Sequence, residues 1–297
     1  MVACVDAQRE TYGVESICQH LPIAPSTYWR HKAQLADPTK RSARAQRDDV
    51  LKVEIARVFD ENEQVYGAEK VWRQLGREGI DAARCTVERL MLVLDLRGVV
   101  RGGGFVVTTR PDDRVRVPDL VDRAFTALRP NQLWVADFTY VSTSDGFVYT
   151  ALVIDVFARR IVGWKVSHSM RTDFVLDALD QALHHRGDEA VAGLVHHSDR
   201  GVQYVSMRYT ERLADAGIAP SVGRRGDSYD NALAESVIGL YKTEVIGRRD
   251  RWSTLEAVEF ATLRWVDWFN HRRLLGPIGF VPPAEFEASY YQQVSVA

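Results

Sequence analysis

The stretch LWVADFTYVSTSDGFVYTALVID, residues 133–155, decides how the back half of this 297-residue chain folds. Before Asn131 the apolar residues recur at helical spacing; after it they alternate. Residues 133–141 read as a strand with Asp137 in its middle. Ser144-Asp145-Gly146 reads as a hairpin turn, and residues 147–155 as a second strand alternating on Val148, Thr150, Leu152 and Ile154. An acid inside a central strand is costly, because a buried carboxylate needs a partner.

Downstream, RIVGWKVS (160–167) reads as a third strand, and Phe174, Leu176, Leu179 and Leu183 mark a helix. A short strand, LVHHS (194–198), delivers Asp199 at its C-terminal end. A helix from Met207 to Ala216 leads into a strand, IAPSV (218–222). The glycine-rich loop GRRGDSYDN (223–231) then enters a helix that carries Glu235. The order β-β-β-α-β-α-β-α predicts an α/β core, a mixed five-stranded sheet flanked by helices. A lone Asp at a strand end is ordinarily a cap or turn residue. Three acids, one within a strand, one at a strand end and one on a late helix, could instead converge on one point. A divalent cation would supply the compensating charge, and Mg²⁺ prefers a few carboxylates while keeping waters for a phosphate substrate.

Upstream, YGVESICQHLPIAPSTYWRHKAQ (12–34) gives a short apolar face on Val14, Ile17 and Leu21. Pro22 and Pro25 break the chain, and Ser26 is placed to cap a second helix. After a basic connector from Lys40 to Arg47, three sets keep helical spacing: Leu51, Ile55, Val58 and Phe59; Ala68, Val71, Trp72 and Leu75; Val87, Leu90, Met91 and Leu94. The last two flank a turn at Gly79-Ile80-Asp81, which is the helix-turn-helix pattern. Arg84, Thr86, Glu88 and Arg89 lie near the start of its second helix, where groove readers contact bases. A packed hairpin with a solvated basic face is the competing reading. The Gly-, Arg- and Asp-rich stretch from residue 98 reads as a wing and then a linker.

Composition sets bounds on function. Apolar residues make up 46% and charged residues 26%, so the chain is neither disordered nor collagen-like. No apolar run approaches a membrane span, and the N-terminus lacks a signal-peptide layout, so a cytoplasmic protein without membrane contact is expected. Three cysteines are too few and too scattered for a disulfide framework or a zinc site. The net charge of −2 argues by itself against a nucleic-acid binder, but it is uneven. Residues 1–129 hold 21 basic and 19 acidic residues, and residues 130–297 hold 17 and 21. A front half with basic patches and a back half rich in carboxylates suits metal chemistry on a phosphate.

The strings LWVADFTYV, VIDVFARRIVGW, HHSDRGVQY, SYDNALAES and LYKTE, followed by WFNHRR and PPAEFE, resemble the transposase, or integrase core, encoded by the second reading frame of a large bacterial insertion-sequence family. That core is RNase H-like and similar to retroviral integrases. Asp137 matches the family's first acid, and Asp199 and Glu235 have its spacing, with 35 residues between them. Lys242, seven residues or about 700° of helix after Glu235, points the same way and matches the family's basic residue. The resemblance extends to the front half through YGAEKVWRQLGREGI (66–80). It implies a metal-dependent DNA transposase of the DDE type that cleaves the element's 3′ ends and transfers them to a target. Two Mg²⁺ or Mn²⁺ ions would be held by Asp137, Asp199 and Glu235, and Lys242 would sit on a phosphate.

The domains expected are an N-terminal helical DNA-binding segment (1–43), a helix-turn-helix domain (44–100), a linker (101–128), the catalytic core (129–246) and a C-terminal helical extension (247–297). The partners implied are terminal inverted repeats and a target duplex, with a homo-oligomer on paired ends. A fusion with an upstream-frame product is also implied; its coiled-coil parts find no heptad run here. The alternatives are an RNase H-like nuclease without strand transfer and a catalytically inactive DNA-binding protein.

Several neighbouring residues have competing roles. Adjacent strand residues point to opposite faces, so His196 and His197 are expected to pack or to orient Asp199 rather than ligate a metal. Asp155 is expected in a turn or salt bridge. Tyr229, Asp230 and Asn231 lie where the loop enters the helix, and capping competes with DNA contact for Tyr229 and Asn231. Trp265, Trp268 and Phe269 are expected in the core or a subunit interface, after a capping box of Ser253 and Glu256. Arg84 and Arg89 are the expected DNA contacts of the front half.

Overall fold

The computed structural model describes residues 1–100, 118–121, 124–187, 189–199, 203–223, 231–249 and 251–296. Most of the expected wing and linker, and Tyr229 with most of the glycine-rich loop, lie outside the described residues. The backbone divides into two compact units, Met1–Arg97 and Gly98–Ala297.

In the first unit, helices α1 (Val2–Tyr12), α2 (Val14–His20) and α3 (Pro25–Ala36) close over a small core of Val5, Cys18 and Tyr28. Tyr28 Oη donates to Asp6 (2.7 Å), and Lys32 Nζ meets the same carboxylate at 3.0 Å. Two sequence readings need correcting. Helix α1 was not anticipated, because only Val5 of its eleven residues is buried and its pattern is correspondingly faint. Ser26 does not cap α3: Pro25 takes the first helical position, where its fixed φ suits a helix and its missing N–H costs nothing, so the cap falls on Ala24.

Helices α4 (Ala43–Glu61), α5 (Ala68–Arg77) and α6 (Arg84–Val93) follow the spacing read from the sequence. Leu51, Ile55, Val58 and Phe59 of α4 are buried, as are Val71 and Leu75 of α5 and Val87, Leu90 and Met91 of α6. Gly79, at φ +79°, makes the turn between α5 and α6 possible without strain. Trp72 Nε1 spans that turn by donating to the Ala82 carbonyl at 2.9 Å.

The second unit is built on strands β1 (Leu133–Thr143), β2 (Gly146–Asp155) and β3 (Arg160–Ser167), then helix α7 (Thr172–Arg186) and strand β4 (Val195–Ser198). Helix α8 (Met207–Asp215), strand β5 (Ala219–Val222) and helices α9 (Ala232–Glu244), α10 (Leu255–His271) and α11 (Pro283–Val296) complete it. The sheet order is β3-β2-β1-β4-β5; β1, β2 and β3 are antiparallel, while β1, β4 and β5 run parallel. This is the mixed five-stranded sheet anticipated for an RNase H-like core.

Helices α7 and α8 cover one face through a core that includes Trp134, Ala136, Phe174, Leu179, Tyr209 and Leu213. The closest approach is at Gly163 of β3, where a Cβ would come within 2.1 Å of the Ala178 carbonyl oxygen of α7, so no larger residue fits. Helix α9 packs against β1 and β2, and α10 against β3. The cap of α10 is Thr254, whose hydroxyl accepts from the Ala257 amide at 3.3 Å. Because the helix starts at Leu255, the expected box of Ser253 and Glu256 is out of step by one residue.

Candidate active site

Pleating places Trp134, Ala136 and Phe138 toward α7 and leaves Asp137, opposite Leu152 of β2, on the alternate face. The parallel register pairs Ala136 with Ser198, the last residue of β4. The next residue on each strand is an acid, Asp137 and Asp199, so the two emerge side by side where the strands part. Glu235 comes from the first turn of α9.

The Asp137 carboxyl is pushed well above the ordinary range for aspartate, first by burial and then by the charges of Asp199 and, more weakly, Glu235. The Phe138 amide, which donates to Asp137 Oδ1 at 2.7 Å, and the charge of Lys242 pull the other way. The three acids and Lys242 therefore act on one another across three elements. Among the described residues no three His, Cys, Asp or Glu side chains are drawn together tightly enough to hold a metal ion.

Helix α9 is fixed by buried polar contacts along its length. At its start Asn231 Nδ2 donates to the Ala136 carbonyl at 2.9 Å. Midway, the Tyr241 hydroxyl lies 3.3 Å from Thr150 Oγ1 of β2 and 2.7 Å from Thr262 Oγ1 of α10. At its end Glu244 accepts from Trp265 Nε1 at 3.0 Å and from the Arg273 guanidinium, both acid and base being buried. Asn231 was anticipated as a DNA contact; only 5% exposed and bonded to β1, it is turned into the protein. The LYKTE and WFNHRR strings were noted as motifs, but nothing local reveals that Glu244 and Arg273 pair.

Other anticipated residues fall into place. His196 Nε2 pairs with the Tyr209 hydroxyl at 3.1 Å and His197 Nδ1 with Ser221 Oγ at 2.8 Å, on opposite faces of β4. Burial, and next the neighbouring His197, push the His196 imidazole down to about 3, so it is neutral. Asp155 accepts the Asn131 and Phe157 amides at 2.7 and 2.9 Å and lies 3.8 Å from Arg186, which is the turn and salt-bridge role expected. Trp265, Trp268 and Phe269 are buried in the fold. Tyr204, which the sequence did not single out, is buried with its hydroxyl unpartnered; burial, Tyr209, Asp137 and Asp199 raise its pKa.

In the front unit Arg84 is exposed at the start of α6 and pairs with Glu88 one turn on, at 2.9 Å. Arg89 holds Asp48 of α4 through one nitrogen, at 2.8 and 2.9 Å to the two carboxylate oxygens. That contact ties α6 to α4, with the Arg89 side chain still 39% exposed.

Models of known families match three segments: an HTH-like domain over residues 46–103, and integrase core domains over 127–228 and 216–283. The chain is 59% identical to the transposase for insertion sequence element IS629 of Shigella sonnei, across 99% of this chain and 98% of that protein. It is 55% identical to a putative transposase for element IS986/IS6110 of Mycobacterium tuberculosis, across 92% and 98%. Among solved structures it is similar to the HTLV-2 integrase catalytic core domain in complex with magnesium, at 16% identity and a TM-score of 0.41 over 54% of this chain and 99% of that one. No helix among the described residues is long and apolar enough to cross a membrane. The chain belongs to the integrase-core transposases of insertion sequences, polynucleotidyl transferases of the DDE type.

Proposed function

We propose that this transposase cleaves DNA at the 3′ ends of its insertion sequence and joins those ends to a target duplex, with Asp137, Asp199 and Glu235 holding two divalent ions, Mg²⁺ or Mn²⁺. The supporting observation is the state of Asp137: a half-buried carboxyl whose ionisation is opposed by burial and two further acids and favoured by Lys242. Added positive charge relieves that opposition, and an all-oxygen set of three carboxylates suits a hard cation. When bound, the ions would activate the attacking oxygen and stabilise the leaving one. Asp137, Asp199 and Glu235 would together hold the ions. Lys242, exposed on α9 two turns beyond Glu235, would take a phosphate near the cut and fix the strand's register without reading its sequence.

The chemistry balances without a covalent protein intermediate. Water attacks a phosphodiester, and the departing oxygen becomes a free 3′-hydroxyl. That hydroxyl oxygen then attacks a target phosphodiester, exchanging one P–O bond for another. Terminal inverted repeats, a homo-oligomer that pairs two ends and fusion to an upstream-frame product complete the proposal.

Asp137→Ala, Asp199→Ala and Glu235→Ala should each abolish cleavage and joining of labelled end duplexes while leaving their binding nearly intact. Joining by the Asp199→Ala protein overturns the assignment, and cutting without joining in the wild type favours a nuclease.

The front unit is proposed to bind the element end through the start of α6. Arg84 is the residue to test, since its exposed pair with Glu88 contributes only about 0.3–0.5 kcal/mol to stability. Arg84→Glu should weaken end binding and reduce discrimination against random duplex in fluorescence anisotropy. Equal loss on every sequence would make Arg84 a backbone contact.

A further inference from the structure

Asn231 occupies the cap position of α9, yet its side chain makes no capping bond. Its amide nitrogen reaches across to the Ala136 carbonyl at 2.9 Å, the peptide that leads directly into Asp137. Its own carbonyl accepts the Glu235 amide at 3.0 Å. Two hydrogen bonds thus run from the backbone beside one acid, through a single residue, to the backbone of another. The side chain is 5% exposed, and its amide oxygen is buried without a partner. An amide held here with one oxygen unsatisfied is costlier to bury than an apolar side chain, so its hydrogen bond to β1 is what the position gains from it.

We infer that Asn231 is a positioning residue: its side chain locks the start of α9 to β1 and so sets the distance between Glu235 and Asp137. An apolar contact would let the helix slide or turn by fractions of an ångström, whereas a hydrogen bond to one carbonyl fixes both its translation and its rotation. The inference rests on the proposal that these acids hold metal, and it departs from the expectation that Asn231 touches DNA.

Mn²⁺ binding to the full chain, followed by electron paramagnetic resonance of the free ion, tests it on the wild type, Asn231→Leu, Asn231→Ala and Asp199→Asn. Both Asn231 variants should bind Mn²⁺ about tenfold more weakly, the effect typical of losing a group that orients a ligand. Affinity for an end duplex without metal, and its salt dependence, should be unchanged. Melting curves check that both variants fold; Asn231→Leu keeps the branched shape in a larger side chain, and Asn231→Ala repeats the test with a small side chain that fits without strain. Wild-type Mn²⁺ affinity in both variants, with Asp199→Asn impaired, overturns the role of Asn231 and leaves the acids standing. Equal affinity in all four proteins overturns the metal assignment and this inference with it. Unchanged Mn²⁺ affinity with a lower salt slope on DNA returns Asn231 to the class of DNA contacts.

Discussion

Two groups of acids in the second unit differ in the charges placed around them: one is fully buried among guanidiniums, the other half-buried among further acids. At the end of β2, Asp155 is fully buried, accepts two backbone amides and faces Arg186; Glu287 of α11 accepts from Arg186 at 2.9 Å and Arg160 at 3.3 Å. Burial works against the Glu287 charge, yet Arg186 and Arg160 outweigh it and hold the carboxyl below its usual range. On the neighbouring strand, among the described residues, burial, Asp199 and Glu235 drive the Asp137 carboxyl up against the Phe138 amide and Lys242. The first group carries its own cations, which bind α11 to the sheet and α7; burial still raises the Asp155 carboxyl, with the Asn131 amide, Arg186 and the Phe157 amide pulling it back. Among the described residues the second is open, and under the proposed chemistry bound cations would relieve its electrostatic cost. Acids matched by cations mark architecture, and acids matched against acids mark chemistry.

The sharpest way to break this comparison is to remove one charge from each group. Arg186→Ala should strip Asp155 and Glu287 of their shared cation and destabilise the chain by about 3–5 kcal/mol in denaturant unfolding. Asp137→Asn should do the reverse and raise the melting temperature at pH 7 in chelator. The sign follows from linkage. A carboxyl raised on folding adds stability that is full below the unfolded value of 3.8 and is lost as pH climbs through the folded value. The asparagine does not titrate, so the gain of Asp137→Asn over wild type should grow with pH and shrink toward zero near pH 4. His196 runs the other way in both proteins, since its depressed value removes stability as pH falls from 6.5 toward about 3. Variant and wild type must therefore be compared at each pH. Destabilisation by Asp137→Asn on the scale of Arg186→Ala would erase the distinction between the groups.

The same contrast explains which parts of the molecule were legible in the sequence. The 133–155 hairpin was legible because two runs rich in β-branched and aromatic residues flank a Ser-Asp-Gly turn, and helices α4 to α6 because their apolar residues recur at helical spacing. Asp137, Asp199 and Glu235 stand out in the sequence because their residue types and spacing match a family pattern. What escaped depends on partners remote in sequence. Asn231 bonds a carbonyl 95 positions away, Arg89 an acid 41 away and Glu244 a base 29 away. No local rule tells an asparagine at a helix start whether it will cap, touch DNA or reach a strand. Helix starts misread at Ser26 and Ser253 fail for a nearer reason: a proline or a one-residue offset decides between adjacent capping candidates.

Lys242 is the smallest and finest test of the open group. It is exposed on α9, and a mid-helix surface lysine ordinarily changes stability by no more than about 0.5 kcal/mol when replaced. Its charge nevertheless lowers the cost of ionising Asp137, so it belongs to the open group electrostatically while standing in solvent. A cation in that place can serve the protein by offsetting the acids, or serve the DNA by holding a phosphate. The two roles separate on a salt series. If Lys242 holds a phosphate, Lys242→Ala should flatten the slope of log affinity against log salt by about 0.9 on pre-cut duplex ends and slow joining, because the strand is less well placed. If Lys242 only offsets the acids, the slope stays as in wild type. The pH at which Asp137 titrates then rises, visible as a shift in the pH dependence of the Asp137→Asn stability difference when both are measured on the Lys242→Ala background. A variant that moves neither the salt slope, the joining rate nor that pH dependence would leave Lys242 an ordinary surface lysine. The open group would then consist of the three acids alone.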